Sequence, residues 1–171
     1  MSGICLRPVT KSNFRACIAL EVEPSQKGLV APNVYSLAQA KVNALLTPWA
    51  VYDREVLGRD LRPDDAMVGF CMVQVMDGVG FVVRLMVDRR HQRRGYGRAT
   101  MVEIIRRWKA TPEIEMIATS FRKENAAAEA LYRSLGFVEN PMVEDEHEQY
   151  VLLDWPEGPV SFVHEHHGPG G

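Results

Sequence analysis

Two stretches of the chain hold residues whose types and spacing could do chemistry. The first is Val87-Asp88-Arg89-Arg90-His91-Gln92-Arg93-Arg94-Gly95-Tyr96-Gly97-Arg98-Ala99, an apolar strand that passes through a basic loop into an amphipathic helix. Glycines at such a junction let the backbone approach a ligand, and the first N–H groups of the helix have no intrahelical acceptor. Those donors, the helix dipole and the arginines together favour a phosphate group. The loop is not a Walker loop, because GxxxxGK[ST] is absent. Nor is it a dinucleotide fingerprint, which needs a third glycine and a ribose-binding acid ~20 residues on. A tight strand-to-helix turn accounts for the same glycines. The second stretch runs from Asn125 to Phe137, with Tyr132 inside it and Gly136 near its end. Taken singly, Asn125 reads as a helix cap and Tyr132 as a core residue on an apolar stripe.

Charge supports the first stretch. The net charge is −2, yet Arg84 to Lys109 carries nine Lys/Arg against Asp88 and Glu103, giving +7. The remaining residues hold eleven Lys/Arg and twenty Asp/Glu, giving −9. One anion-binding region in an acidic body, or one solvated basic helix face, produces this asymmetry.

The elements that must position these residues follow from pattern. Ile4 to Val9 reads as a strand, with a helix from the Thr10–Asn13 cap to about Leu20. Pro24 to Pro32 is a loop, and Ser36 caps a helix over 37–46 that Pro48 stops. Trp49-Ala50-Val51-Tyr52 begins a strand, and 59–65 is a polar connection. Met67 to Val75 and Val79 to Val87 flank Asp77-Gly78, a hairpin signal. Met101, Ile104, Ile105 and Trp108 mark the buried stripe of a helix starting near Gly95 and ending before Pro112. Ile114 to Ser120 is a strand; Asn125 caps a helix with stripe Ala128, Leu131, Tyr132 and Leu135, stopped by Gly136. Phe137-Val138 and Gln149 to Asp154 are the last strands. Residues 1–155 make one domain, and 156–171 are expected to be a flexible tail. The tail's His164-Glu165-His166-His167 reads as terminus rather than metal site. Cys5, Cys17 and Cys71 form no zinc or disulfide framework. With no signal-like start and no spanning apolar run, the expectation is a cytoplasmic protein without membrane attachment.

Together the two stretches carry a resemblance. Gln92-x-x-Gly95-x-Gly97 after a strand, then Asn125 with Leu131-Tyr132-x-x-x-Gly136-Phe137, resembles the GNAT superfamily of acetyl-CoA-dependent N-acetyltransferases. The order of elements agrees from Ile4 to Asp154. The resemblance implies an α+β fold: a mixed, mostly antiparallel sheet of about seven strands, helices on both faces, and a splay between strands 4 and 5. It implies that the pantetheine arm of acetyl-CoA pairs with the backbone of Leu85, Met86 and Val87. The pyrophosphate would sit on the amides of Arg93, Arg94, Gly95, Tyr96, Gly97 and Arg98, and Asn125 would bond the pantetheine. Tyr132 would stand near the thioester sulfur as general acid. No metal is implied.

The expected reaction is direct attack of a primary amine on the thioester in a ternary complex. Some relatives carry a glutamate base on the fourth strand; here Val83-Arg84-Leu85 replaces it. Glu21, Glu23 and a water relay are left as candidates for the base. His91, in the phosphate loop, is not one. The stretches Gly28 to Asn33, Ser36 to Ala40, Pro48 to Tyr52 and Arg84 to Asp88 resemble bacterial diamine and polyamine acetyltransferases. That resemblance implies a small-molecule amine as partner and, as in many relatives, a homodimer. Acids at Glu21, Glu23, Glu144, Asp145, Glu146 and Glu148 suit a polycation, whereas Val82-Val83 replace aromatics expected before Arg84. Another acceptor (protein N-terminus, aminoglycoside, amino acid), a non-catalytic CoA sensor and a nucleic-acid-binding module are the rival readings. Overall acidity and the lack of interleaved aromatics argue against nucleic acid as a partner.

Overall fold

The computed structural model describes residues 3–58 and 63–153. One seven-stranded sheet organises them, in the order β1-β2-β3-β4-β5-β7-β6. Its strands are β1 (Ile4–Pro8), β2 (Leu46–Asp53), β3 (Met67–Met76), β4 (Val79–Val87), β5 (Met116–Arg122), β6 (Phe137–Glu139) and β7 (Glu148–Leu153). The helices are α1 (Phe14–Ala19), α2 (Asn33–Val42), α3 (Arg54–Leu57), α4 (Tyr96–Lys109) and α5 (Ala126–Ser134). All neighbouring strands run antiparallel except β4 and β5. The α+β class and the mixed sheet expected from the sequence are therefore what the chain adopts.

Strand alternation divides the core between the two faces of the sheet. On one face Val51, Val68, Cys71 and Val82 pack with Met101, Ile104 and Trp108 of α4 and Tyr132 of α5. On the other, Ala50, Phe70, Met72 and Met86 pack with Cys17 of α1 and, at their edge, Leu37 and Ala40 of α2. The hairpin joining β3 to β4 turns on Asp77 (φ 51°) and Gly78 (φ 78°). Two consecutive positive φ values are what a two-residue primed turn requires, and Asp-Gly adopts them readily.

Three local expectations need correction. The second helix starts at Asn33 behind Pro32, not after Ser36, whose side chain is fully buried inside it. Proline suits a helix start because its fixed φ and missing N–H cost nothing there. Pro48 does not stop that helix but lies within β2, paired with Met72 of β3. It is tolerated because β1 ends opposite Trp49, so no strand needs an N–H from Pro48 on that edge. A short helix, α3, follows β2 where none was expected, capped by the Asp53 carboxylate accepting from the N–H groups of Glu55 and Val56. Most of the connection predicted over 59–65, and the tail predicted over 156–171, lie outside the described residues. No helix among the described residues is long and apolar enough to cross a membrane.

Candidate active site

The site begins with a fork in the sheet. Strands β4 and β5 are in register only from Val79↔Met116 to Val82↔Thr119, although β4 continues to Val87 and β5 to Arg122. At the same point β4 bulges: Met72 of β3 faces Arg84 and Val73 faces Val82, so Val83 is the extra residue. A bulge bends its strand and raises the local twist. The bend falls where pairing with β5 ends, so Leu85, Met86 and Val87 lean away and leave their β5-facing edge without a sheet partner.

Two connected chambers fill the fork. One, about 160 Å³, runs under the start of α4 between Leu85–Val87, Gln92, Gly97 and the residues Asn125, Ala128 and Leu131. The other, about 400 Å³, opens on the opposite side between Gly28–Ala31, Val82–Leu85, Thr119–Arg122, Glu148 and Tyr150. Leu29, Val30, Leu85, Asn125, Ala128 and Tyr132 border both, so they form a single passage. A larger cavity of about 500 Å³ lies beyond Tyr132 against β6 and β7, but it meets neither β4 nor the glycine loop.

The glycine loop is held open as a donor surface. Gly95 caps α4 with φ 82°, and Arg93 shares the left-handed region at φ 60°. Left-handed turns of this kind point successive N–H groups inward as an anion cradle. The first rung that Gly95 contributes to α4 is the Ala99 N–H to the Gly95 carbonyl, at 2.9 Å. Among the described residues, the N–H groups of Arg93, Arg94, Gly95, Gly97 and Arg98 make no hydrogen bond to the chain. A Cβ added to Gly95 would meet nothing within 4 Å, so the space in front of that backbone is open. Five unspent donors at a helix N-terminus, in the segment of net charge +7, fit a pyrophosphate.

Asp88 holds this loop to the rest of the molecule. Its Oδ2 accepts from the Glu21 N–H at 3.0 Å, and its Oδ1 from the Arg90 N–H at 3.0 Å and Arg90 Nε at 2.7 Å. Burial alone would raise the carboxyl's pKa; the bonds from Arg90 and Glu21 outweigh it and hold the pKa below the ordinary value. Gln92 adds a second tie, its Nε2 donating to the Val87 carbonyl at 3.1 Å and to Gln26 Oε1 at 2.7 Å. Asp88, Gln92 and Gln26 were not singled out as positioning residues from sequence. The clue was an acid between an apolar strand and a basic loop, with no charged partner before it.

The remaining expected residues divide by what their side chains do. Tyr96 contributes backbone to the helix start, but its ring turns inward and its hydroxyl donates to the Asp53 carboxylate. The Met86 side chain is buried under α1 and α2, so only its backbone can face the fork. Arg98 donates to the Ser134 hydroxyl at 2.7 Å, tying α4 to α5. Asn125 is a cap after all: its Oδ1 accepts from the Ala128 N–H at 3.1 Å. Its amide N–H groups make no hydrogen bond among the described residues, and the residue borders both chambers. Glu21 is not brought into either chamber; it is exposed and 3.7 Å from Arg89. Glu23 likewise lines neither.

Tyr132 stands where the two chambers meet, 5% exposed, stacked on Phe121 at 5.7 Å between centroids and edge-on to Phe137 at 5.4 Å. Burial pushes its pKa up to about 12, with the neighbouring Thr119 side chain acting the other way. It is therefore a neutral hydroxyl throughout the physiological range. Glu148 is the one carboxylate among the described residues lining the outer chamber. Among the described residues no cluster of His, Cys, Asp or Glu side chains could hold a metal ion.

A sheet forked between parallel strands, with an amide-lined helix start under one side of the fork, is the architecture that the resemblance of the sequence implied. The chain belongs to the GNAT acetyltransferase family, whose domain model matches residues 50–139. Members of this family use acetyl-CoA as co-substrate. The chain is 37% identical over 83 residues to a ribosomal protein bS18-alanine N-acetyltransferase of Salmonella typhimurium, covering 48% of this chain and 55% of that one. It thus spans only about half the length of this curated relative. Among solved structures it is similar to the PaiA N-acetyltransferase of Thermoplasma acidophilum in complex with coenzyme A (12% identity, TM-score 0.64, covering 90% and 99% of the two chains). It is also similar to spermidine N-acetyltransferase of Vibrio cholerae in complex with CoA and spermine (14% identity, TM-score 0.63, 87% and 92%). At these identities the structural likenesses speak for the fold.

Proposed function

We propose that the protein transfers the acetyl group of acetyl-CoA to a primary amine by direct attack within a ternary complex. The observation that carries this reading is the passage through the fork, with phosphate donors at one mouth and Tyr132 at its middle. The arm of the co-substrate would lie along Leu85–Val87, with Asn125 bonding it from α5. The amide cradle from Arg93 to Arg98 would take the pyrophosphate.

The chamber's own groups support a reading of the proton steps. The amine must reach the thioester carbonyl unprotonated, and Glu148 is the acceptor placed to take its proton, directly or through water. Free backbone N–H groups on the β4 edge would stabilise the oxyanion of the tetrahedral intermediate. Collapse breaks the C–S bond and leaves a thiolate beside the Tyr132 hydroxyl. With a pKa of about 12, Tyr132 is a weaker acid than a thiol, whose ordinary value is about 8.5. Tyr132 therefore stabilises the thiolate chiefly as a hydrogen-bond donor, and the proton lost by the nitrogen settles the charge. No covalent enzyme intermediate is required, and Cys71, fully buried with its thiol pushed up to about 12, is unsuited to be one.

For the acceptor, the acids Glu139, Glu144, Asp145 and Glu146 rim a cavity that shares Glu148 with the outer chamber. A cationic acceptor suits that rim. Diamines and polyamines meet the requirement, as does the amino terminus of a basic peptide, the substrate type named for the curated relative. Thiol release from acetyl-CoA should be measured with spermidine, an alanyl peptide and kanamycin, alongside calorimetric binding of acetyl-CoA. Acetyl-CoA binding with amine-dependent thiol release is expected. Absence of binding would overturn the reading, and binding without turnover on any amine would favour a CoA sensor.

A further inference from the structure

The outer chamber is lined by a cation whose charge repels that of a polyamine. Arg84, the first residue after the bulge in β4, lines it beside Leu85 and Thr119. Among the described residues it pairs with no carboxylate. Its Nη1 donates to the Val83 carbonyl at 2.9 Å and its Nη2 to Gln39 Oε1 of α2 at 3.2 Å. These two bonds fix the guanidinium plane while using two of its five N–H groups. Its Nε is closed off from solvent and has no acceptor. A fixed, partly desolvated guanidinium with spare donors is a fork for a carbonyl or carboxylate oxygen.

The same chamber is poorly equipped to deprotonate a strongly basic amine. One carboxylate, Glu148, lines it, and no histidine does. An alkyl amine with a pKa near 10.4 is neutral in roughly one molecule per thousand at pH 7.4. An α-amine, whose adjacent carbonyl brings it to about 7.7–8.0, is neutral in roughly a quarter. The group that lowers the amine's pKa is also the one Arg84 can bind.

We propose that Arg84 selects acceptors whose amine lies next to a C=O group, so that the substrate is an α-amino acyl compound rather than a polyamine. This rests on the acetyltransferase reading and deepens it. The acceptor enters amine first, its nearest carbonyl oxygen on Arg84, its remainder leaving past Glu148 toward the acidic rim. A peptide amino terminus has both features; a free amino acid offers Arg84 its oxygens, but its anionic carboxylate leaves the amine largely protonated. The rim favours a peptide with basic residues following the first.

Initial rates with acetyl-CoA should be compared for alanine, an Ala-Arg-Lys tripeptide amide, the same tripeptide with its first carbonyl reduced to methylene, and spermidine. The tripeptide is expected to exceed both the reduced analogue and spermidine in kcat/KM by at least about tenfold. Its rate should level off near pH 8. Alanine turning over better than the tripeptide would assign the carboxylate source instead. Arg84→Gln should raise KM for the tripeptide roughly tenfold or more and collapse its preference over the reduced analogue, while acetyl-CoA affinity by calorimetry holds. Arg84→Lys, which keeps charge without the fork, should recover only part of that preference. Spermidine as the best substrate, or an unchanged preference in Arg84→Gln, would overturn the proposal and leave the acetyltransferase intact. Loss of acetyl-CoA binding in the unaltered protein would instead overturn the reading beneath it.

Discussion

The Thr119 hydroxyl donates to the Val82 carbonyl across 2.8 Å, on the last rung that joins β4 to β5. Thr119 is 1% exposed, and its side chain acts on the ionisation of the neighbouring Tyr132 hydroxyl. One side chain thus ties the apex of the fork and borders the tyrosine hydroxyl. Thr119→Val keeps the shape but leaves a buried carbonyl without its partner, a loss of about 1–3 kcal/mol. Melting should fall by several degrees, and kcat should fall more than acetyl-CoA affinity. Thr119→Ser should restore most of both. If the valine variant retains full kcat, the hydroxyl does not orient Tyr132.

Tyr132→Phe should preserve the fold, because the ring contacts with Phe121 and Phe137 do not involve the hydroxyl. Without a donor to the departing sulfur, kcat is expected to fall on the order of 10²-fold, with acetyl-CoA affinity changed less than about twofold. The hydroxyl also has a signature in stability. Its folded pKa of about 12 lies above the unfolded value near 10, so the unfolded chain gives up its proton first as pH rises. The stability it contributes is whole below about pH 10 and is lost toward pH 12. The phenylalanine variant should lack that decline, which denaturant titration across the alkaline range would reveal.

Much of this site could be read in advance, and the boundary of what could be read has a physical cause. Gly95 and Gly97 in a basic loop, Asn125 as a cap and the Leu131-Tyr132 stripe are local signals, and each element they predicted formed. The fork itself has no local signal. Its bulge falls at Val83, a residue that prefers regular strands, and is revealed only by register against β3. The placement of the carboxylates is likewise non-local: Glu21 follows α1 in the chain, its N–H is held by Asp88, and its side chain lies beside Arg89 outside both chambers. Glu148, more than a hundred residues away in sequence, reaches the chamber because β7 inserts between β5 and β6. Contacts between distant segments decide which carboxylate lines the chamber.

The two glycines of the loop should respond differently to alanine. Gly95 has φ 82°, so Gly95→Ala costs about 1–2 kcal/mol whatever the space around it. Its new methyl group would also stand in the open front of the amide cradle. Both melting temperature and acetyl-CoA affinity should drop. Gly97 is helical, and a Cβ there would meet Leu131 and Val87 at an ordinary 3.7 Å. Gly97→Ala should therefore leave stability level or slightly higher, while narrowing the inner chamber and weakening acetyl-CoA. Equal effects of the two substitutions on melting would contradict the left-handed turn.

Asp88→Asn tests whether the clamp or the loop's own conformation presents the amide donors. The carboxylate accepts three hydrogen bonds, and an amide that turns its NH₂ toward any of those donors replaces attraction with repulsion. A destabilisation of about 1–3 kcal/mol is expected, together with weaker acetyl-CoA binding as the loop loosens from Glu21. The pH dependence gives an independent check. Since the folded carboxyl pKa is held below its unfolded value, the stability it supplies is present above about pH 4 and is lost as the pH falls through the folded value. The unaltered protein should therefore lose more stability than Asp88→Asn on acidification, and the two melting curves should converge at low pH. Parallel curves would mean that Asp88 is not the charged anchor of the loop. Unchanged acetyl-CoA affinity would mean that the αL turn at Arg93 and Gly95 holds the cradle without it.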